Sequence, residues 1–459
     1  MKSFVLTLGG LCLALALEGA SIRGGEITFR QTAPLTLDAS VYLYIQANAT
    51  AAVPDTITLC WGDGNCSTAF ITNGIDADND GLPDGESLTS AQLLGVYQVA
   101  HTYEASGQYT LSVNEPNRVP LISGTGAGSV PFYVESLAMV TASAEPQYSP
   151  VFYEPAMLDR SAVDAVFTHL PATFDQDGDE VVHALTVPKL ESGTFPNYQA
   201  PTEINPGPNN QLQIDAETGL LTWVKPQREG RYLINIRVST YRNGELWEQV
   251  TRDMLIDVEE LMALPPLLTL ENEASLQEVL VGDMVELEAV AESLPFGPEV
   301  ELTAAGGLFD FFGAPAAFDT TAEPQPLETF TWMVEPEDER AAPYITGFKA
   351  KDLSSGLATF VPVQFRVVDE LTGTRGAETL APLHVFPNPA NRTLQVEAGW
   401  TTGPVRYEVY NASGALVTSG QWRSFPAQLN VAQWPGGVYQ IRTRGQEGQG
   451  VQRFIVAGK

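Results

Sequence analysis

The residues best placed to do chemistry lie in one short stretch, Asp76-Ala77-Asp78-Asn79-Asp80-Gly81-Leu82-Pro83-Asp84-Gly85-Glu86. Asp76, Asp78 and Asp80 put side-chain oxygens at alternate positions, so the three converge, and Gly81 permits the bend that follows. Asp84 and Glu86 supply further oxygens downstream. That is a donor set for a hard divalent cation, and the reading is a Ca2+ loop. Ser87 stands where a regulatory calcium loop has a bidentate Glu, and Pro83 is also unusual. The competing reading is a solvated acidic turn; against it, carboxylates this close repel one another and a cation relieves the repulsion. A second cluster, Phe174-Asp175-Gln176-Asp177-Gly178-Asp179, offers Asp175, Asp177 and Asp179 either as Ca2+ ligands or as a plain turn.

Other chemistry is sparse. Cys60 and Cys66 flank the turn-rich Trp61-Gly62-Asp63-Gly64-Asn65, and a disulfide stapling that turn is expected in an exported chain. A two-thiol metal site is disfavoured, because the chain has four His and none is close to the pair. His101 is read as a structural hydrogen-bonding residue rather than a catalytic base. There is no nucleophile elbow, HExxH site, phosphate loop or Cys/His pair. The paired acids Glu259-Glu260 and Glu335/Asp338 fall at domain edges or in polar turns. No enzyme is expected. Twenty-four Lys and Arg against 56 Asp and Glu give a net charge of −32, which favours solubility and repels nucleic acid and anionic membranes.

The elements that must position these residues are strands. Period-two alternation recurs at Thr56-Ile57-Thr58-Leu59, at Gln108 to Val113, at Tyr232 to Val238 and at Val361 to Val367. Long helical patterns are absent; Ser87 to Gly95 is the one short candidate. Asn243-Gly244 reads as a hairpin turn, and Gly306 to Gly313 as an inter-strand loop packed on a core. Met1-Lys2, the apolar run Phe4 to Leu17 and the small residues after it read as a removable signal peptide, residues 1–20. Leu11 before Cys12 argues against a lipid anchor, and no other segment is apolar enough to cross a bilayer. The mature chain is expected to be all-β, with tandem Ig-like β-sandwiches strung like beads. Units span 21–135, 136–260 and 261–370, followed by a linker at 371–379 and a last unit at 380–459.

Several motifs resemble known families. Trp61-Gly62-Asp63-Gly64, His101-Thr102-Tyr103 and Gly107-Gln108-Tyr109 resemble a polycystic-kidney-disease (PKD)-type Ig-like domain, which implies a spacer or binding module. The Asp76–Glu86 insertion is similar to the Asp-rich calcium repeats of thrombospondin-like and dockerin-like proteins. Asp175 to Asp179, with Asp215-Ala216-Glu217-Thr218-Gly219-Leu220-Leu221-Thr222-Trp223, resembles the cadherin-like domains of bacterial surface proteins. The third unit is similar to Ig-like domains of secreted and gliding-associated Bacteroidetes proteins. The last unit is similar, element by element, to the type A C-terminal sorting domain of type IX secretion. Phe386-Pro387-Asn388-Pro389-Ala390, the turn Tyr410-Asn411-Ala412-Ser413-Gly414, Gly436-Gly437-Val438-Tyr439 and the terminal Arg453-Phe454-Ile455-Val456 follow in that family's order.

Those resemblances imply export through the periplasm, handling by the type IX secretion machinery and removal of the tail at the surface. The expectation is a non-catalytic secreted or surface adhesion scaffold stiffened by Ca2+, with an extracellular polysaccharide or surface protein as partner. The alternative is an accessory module of a polymer-degrading or gliding system.

Overall fold

The computed structural model describes residues 22–47, 53–77, 80–116, 118–121, 130–156, 159–207, 209–270, 276–292, 300–309, 316–321, 327–368, 383–388, 390–398, 405–411, 416–445 and 448–456. The expected signal peptide, the linker at 371–379, Asp78, Pro389 and Gly414 lie outside them.

Alternation becomes antiparallel sheet almost throughout. In Thr36–Gln46, Leu37, Ala39, Val41, Leu43 and Ile45 point into a core while their neighbours are less buried. Asn243 and Gly244, both at positive φ (56° and 80°), close the expected hairpin between Gly230–Arg242 and Glu245–Glu259. Ser87 to Gly95 is not helical. Glu86–Thr89 and Gln92–Thr102 are paired strands, and Ile45 lies opposite Leu93. Local helix preference yields here to the sheet that this segment completes.

The chain divides into two compact units, residues 1–369 and 370–459. In the first, a 13-stranded sheet contains a closed ring. Its path runs through Glu245–Glu259, Phe132–Val140, Gly107–Glu115, Thr56–Cys60, Cys66–Ile71, Gln92–Thr102, Thr36–Gln46 and Ile22–Ala33. It returns to Glu245–Glu259 where Gly25 faces Asp253. A Cβ on Gly25 would sit 2.3 Å from the Tyr42 carbonyl oxygen, so the closure tolerates only glycine there. Trp61, Tyr97, Phe132 and Val250 fill the ring.

The all-β sandwich class therefore holds, but the first three units are not separate beads. The expected divide at 135/136 falls inside the strand Phe132–Val140. Strand Glu245–Glu259 gives Val250 to the first core and Met254, Ile256 and Val258 to the second. The third unit is a sandwich of two four-stranded sheets. Phe174 of the second unit is buried in its core, stacked on Tyr344 at 6.0 Å. The loop at Gly307–Phe309 packs on that core, as expected, through buried Gly307 and Leu308. Composition shifts mark changes of surface character, and strand exchange between neighbouring cores leaves no such mark.

One device recurs in all four sandwiches. A core Trp packs near a Tyr whose hydroxyl donates to a backbone carbonyl a few residues upstream, as in a tyrosine corner. Tyr109 donates to Ala105 (3.0 Å), Tyr232 to Arg228 (2.8 Å), Tyr344 to Asp338 (2.8 Å) and Tyr439 to Pro435 (2.8 Å). Trp223, Trp332 and Trp434 lie 4.9, 5.6 and 5.1 Å from the last three, and Trp61 reaches Tyr109 through Tyr103.

Candidate functional site

In the first acidic loop the carboxylates face their own backbone. Asp80 N–H and Gly81 N–H donate to Asp76 (3.2 and 3.1 Å), Leu82 N–H to Asp80 (2.8 Å), and Ala77 N–H to Asp84 (2.7 Å). Gly74 and Gly85 pair across the base of the loop, where a Cβ on Gly74 would lie 1.9 Å from the Gly85 oxygen. No salt bridge joins Asp76, Asp84 or Glu86 to a cationic side chain among the described residues. Those residues also contain no ready-formed cluster of three metal-ligating side chains. A carboxylate has about four lone-pair sites, so these amide bonds leave oxygen capacity over for a Ca2+ ion, as the donor chemistry requires.

The second cluster is settled differently. Arg242 reaches Asp179 at 2.7 Å and Asp177 at 2.8 Å, and its guanidinium also lies over the Trp247 ring at 4.5 Å. Tyr148 N–H donates to Asp177 (3.2 Å) and Asp179 N–H to Asp175 (3.0 Å). Asp175 is buried, and burial pushes its carboxyl up to about 7. An arginine thus stands where a cation was expected to be ligated by Asp177 and Asp179.

The Trp61–Asn65 turn is closed by the Cys60–Cys66 disulfide, and the two residues face each other across the hairpin. His101 Nε2 lies 2.7 Å from Asp63 and the ring stacks on Trp61 at 5.0 Å. Against the opposing effect of burial, the Asn65 N–H and His101 hold the Asp63 carboxyl down at about 2. The pair ties the turn to the strand Gln92–Thr102, which is a structural role for His101. The other paired acids are also structural: Glu259 is bound by Arg160, and Asp338 accepts the Glu335 N–H at 2.8 Å.

A row of buried charges, not anticipated from the sequence, lies along the seam between the first three units. Arg252 is fully buried, donates to Glu26 (2.8 and 3.2 Å) and to the Glu154 carbonyl (2.7 Å), and lies 4.1 Å from the Phe152 ring centre. Arg118 pairs with Asp253 at 2.8 Å. Lys349 of the third unit meets Glu154 (2.5 Å) and Asp159 (2.9 Å). Burial works against the Lys349 ammonium, but Asp159 and Glu154 reverse this and raise its pKa. The signal was present in the sequence. Arg252 sits in the same strand phase as Val250, Met254 and Ile256, and a charge on a core face requires a partner.

In the C-terminal unit the sorting motifs converge on the last strand. Asn388 accepts the Ile455 N–H (2.8 Å), and Ala390 N–H donates to the Ile455 carbonyl (2.8 Å). Tyr439 stacks on Phe454 at 5.8 Å inside a core with Trp434 packed against it. Pro387 is exposed at the end of Leu383–Phe386. Gly437 opens the strand Gly437–Gly445, and a Cβ there would meet nothing. Steric demand therefore does not explain Gly437.

Residues 384–457 match the family described as the secretion system C-terminal sorting domain. No curated protein matches the chain. Among solved structures it is similar to Drosophila N-cadherin EC1-4, at 11% identity over 90% of this chain and 95% of that one, TM-score 0.18. It is also similar to Rst D1-D2 (13%, 48% of this chain and 99% of that one, TM-score 0.18). A third is dimeric latent PorU from Porphyromonas gingivalis (16%, 66% of this chain and 32% of that one, TM-score 0.17). No helix among the described residues is long and apolar enough to cross a membrane. Residues 384–457 form a secretion system C-terminal sorting domain of the type IX kind, which follows an all-β sandwich body in the chain.

Proposed function

We propose that the protein is an exported, non-catalytic interaction scaffold, acting in the medium or on the outer cell surface. The sorting domain carries the address. The observation that supports a scaffold is the seam: shared strands and buried ion pairs join three sandwiches into one body, which suits a stiff presenter of a surface. The acids in the sequence that resembled catalytic pairs are engaged in turns and ion pairs. Partners of this reading are the secretion machinery and an extracellular polysaccharide or surface protein.

The first test is the mass of the protein recovered from the surface or medium of the producing cell. Loss of the segment from about Leu380 onward is the expected result, and retention of the whole tail in the released protein contradicts the delivery route. Measurable hydrolysis of a polysaccharide or peptide by the purified protein contradicts the non-catalytic reading.

Calcium belongs to the same reading, at Asp76, Asp80 and Asp84, with Asp78 and Glu86 as further donors. The backbone N–H bonds to Asp76, Asp80 and Asp84 hold three carboxylates in one short loop and leave lone pairs over, which favours it. Chelation is expected to lower the melting temperature, and Asp78→Ala with Asp80→Ala to abolish that response.

A further inference from the structure

A polar trough of about 140 Å³ lies on the outer face of the large sheet, where Phe132–Val140 joins Glu245–Glu259. Alternate residues of neighbouring strands line it, because side chains two apart share a face. Arg237, on the strand Gly230–Arg242, lies directly opposite Thr251. Its Nε is buried and has no hydrogen-bond partner, and no carboxylate pairs with it among the described residues. Arg23, Arg118, Arg231, Arg242 and Arg252 are each ion-paired in a chain with 56 acids and 24 bases.

The acids bordering the trough are already engaged. Glu135 is held by Lys189 and accepts the Tyr133 hydroxyl at 2.9 Å, and Glu191 accepts Asn114 Nδ2 at 2.7 Å. Around Arg237 the remaining groups suit hydroxyls. Thr251 has a hydroxyl that can donate and accept. Gln249 donates its Nε2 to Ser239 (3.0 Å), which leaves its carbonyl oxygen as an acceptor. Tyr133 adds a ring at the wall. A guanidinium presents a planar fork of N–H donors that matches a planar carboxylate, and a lone ammonium would not impose the same orientation.

We propose that this trough binds a carboxylate-bearing sugar unit of the uronate class, with Arg237 on the carboxylate and Thr251 and Gln249 on ring hydroxyls. The volume admits about one such unit, so a polymer would be gripped through a single residue or its end. The inference rests on the scaffold reading only in naming an extracellular glycan as the source.

The test is calorimetric titration of the full chain with galacturonate, galactose and acetate, repeated with Arg237→Gln and with Thr110→Trp, an exposed rim position. Saturable binding of galacturonate is expected, at least tenfold tighter than galactose or acetate. Arg237→Gln is expected to weaken it about tenfold or more, the loss typical of one charged hydrogen-bonding partner. Thr110→Trp is expected to block it without lowering the melting temperature, which separates occlusion of the trough from misfolding. Equal affinity for galactose or acetate, no saturation by galacturonate, or unchanged binding in both variants would overturn the proposal. Hydrolysis by this protein would sink the scaffold reading and leave the binding result standing.

Discussion

The seam between the sandwiches and the Asp76–Glu86 loop are both rich in acids, and they settle that charge in opposite ways. In the seam, Glu26, Glu154, Asp159 and Asp253 each meet a buried Arg or Lys. At its edge, Asp177 and Asp179 share Arg242. In the loop, Asp76, Asp80 and Asp84 each accept backbone N–H groups. A fixed cation built into the fold needs long-range pairing and comes with the tertiary structure. A local turn can hold its acids with amides and leave oxygens for a mobile cation. Similar Asp spacing therefore does not have a single meaning: Asp177 and Asp179 are paired with an arginine, and the Asp76–Asp84 loop is the one for which calcium is proposed.

The comparison can be broken most forcefully at Arg252. Arg252→Ala leaves Glu26 buried without its partner, and a loss of about 3–5 kcal/mol is expected in denaturant unfolding. A loss under about 1 kcal/mol would mean that the seam is wetter and looser than described.

Asp175 gives the next effect, and it depends on pH. Its folded pKa is raised from the ordinary 3.8 to about 7, chiefly by burial. The native state therefore binds more protons than the unfolded state within that window. This group's contribution to stability falls as pH rises through it. Asp175→Asn keeps an oxygen for the Asp179 N–H and removes the ionisation. The mutant should gain on the wild type by on the order of 3 kcal/mol between pH 4 and 8. Buried His183, held down at about 4 by burial, acts in the opposite sense, losing stability as pH falls below its ordinary 6.5. It is common to both proteins, so the difference curve isolates Asp175. Parallel pH curves would contradict the placement of Asp175.

Removal of calcium comes third. With Ca2+ at one hundred times its Kd, chelation should cost roughly 2.7 kcal/mol, visible as a fall of several degrees in Tm. The response should vanish in Asp80→Ala and persist in Asp177→Asn. The reverse pattern would exchange the roles of the two clusters. Arg242→Ala should show the smallest loss, roughly 2 kcal/mol, because the arginine is partly exposed and Asp177 keeps its Tyr148 N–H.

Much of this was legible in the sequence because it is local. Alternation located the strands, Asn243-Gly244 the hairpin, and Cys60 and Cys66 the staple across a turn. The sorting motifs lie in one continuous segment, and the structure adds that Asn388 and Ala390 clasp the strand ending at Val456. What stayed hidden was long-range. Arg242 is 65 residues from Asp177 and Arg252 is 226 residues from Glu26, so with these arginines out of view the Asp175–Asp179 cluster stayed open between Ca2+ ligands and a plain turn. The strand Glu245–Glu259 reads as one continuous strand, with Arg252 to Ile256 all buried, and nothing in its sequence assigns Val250 to one core and Met254 to another. The unpartnered Nε of Arg237 likewise shows only in the folded chain.

The central claim is that the seam makes one body of the first three sandwiches. Differential scanning calorimetry of the full chain tests it most directly. The account predicts a single transition for the body, apart from that of the sorting domain, with calorimetric and van't Hoff enthalpies in agreement. Separate transitions for the three sandwiches would contradict it.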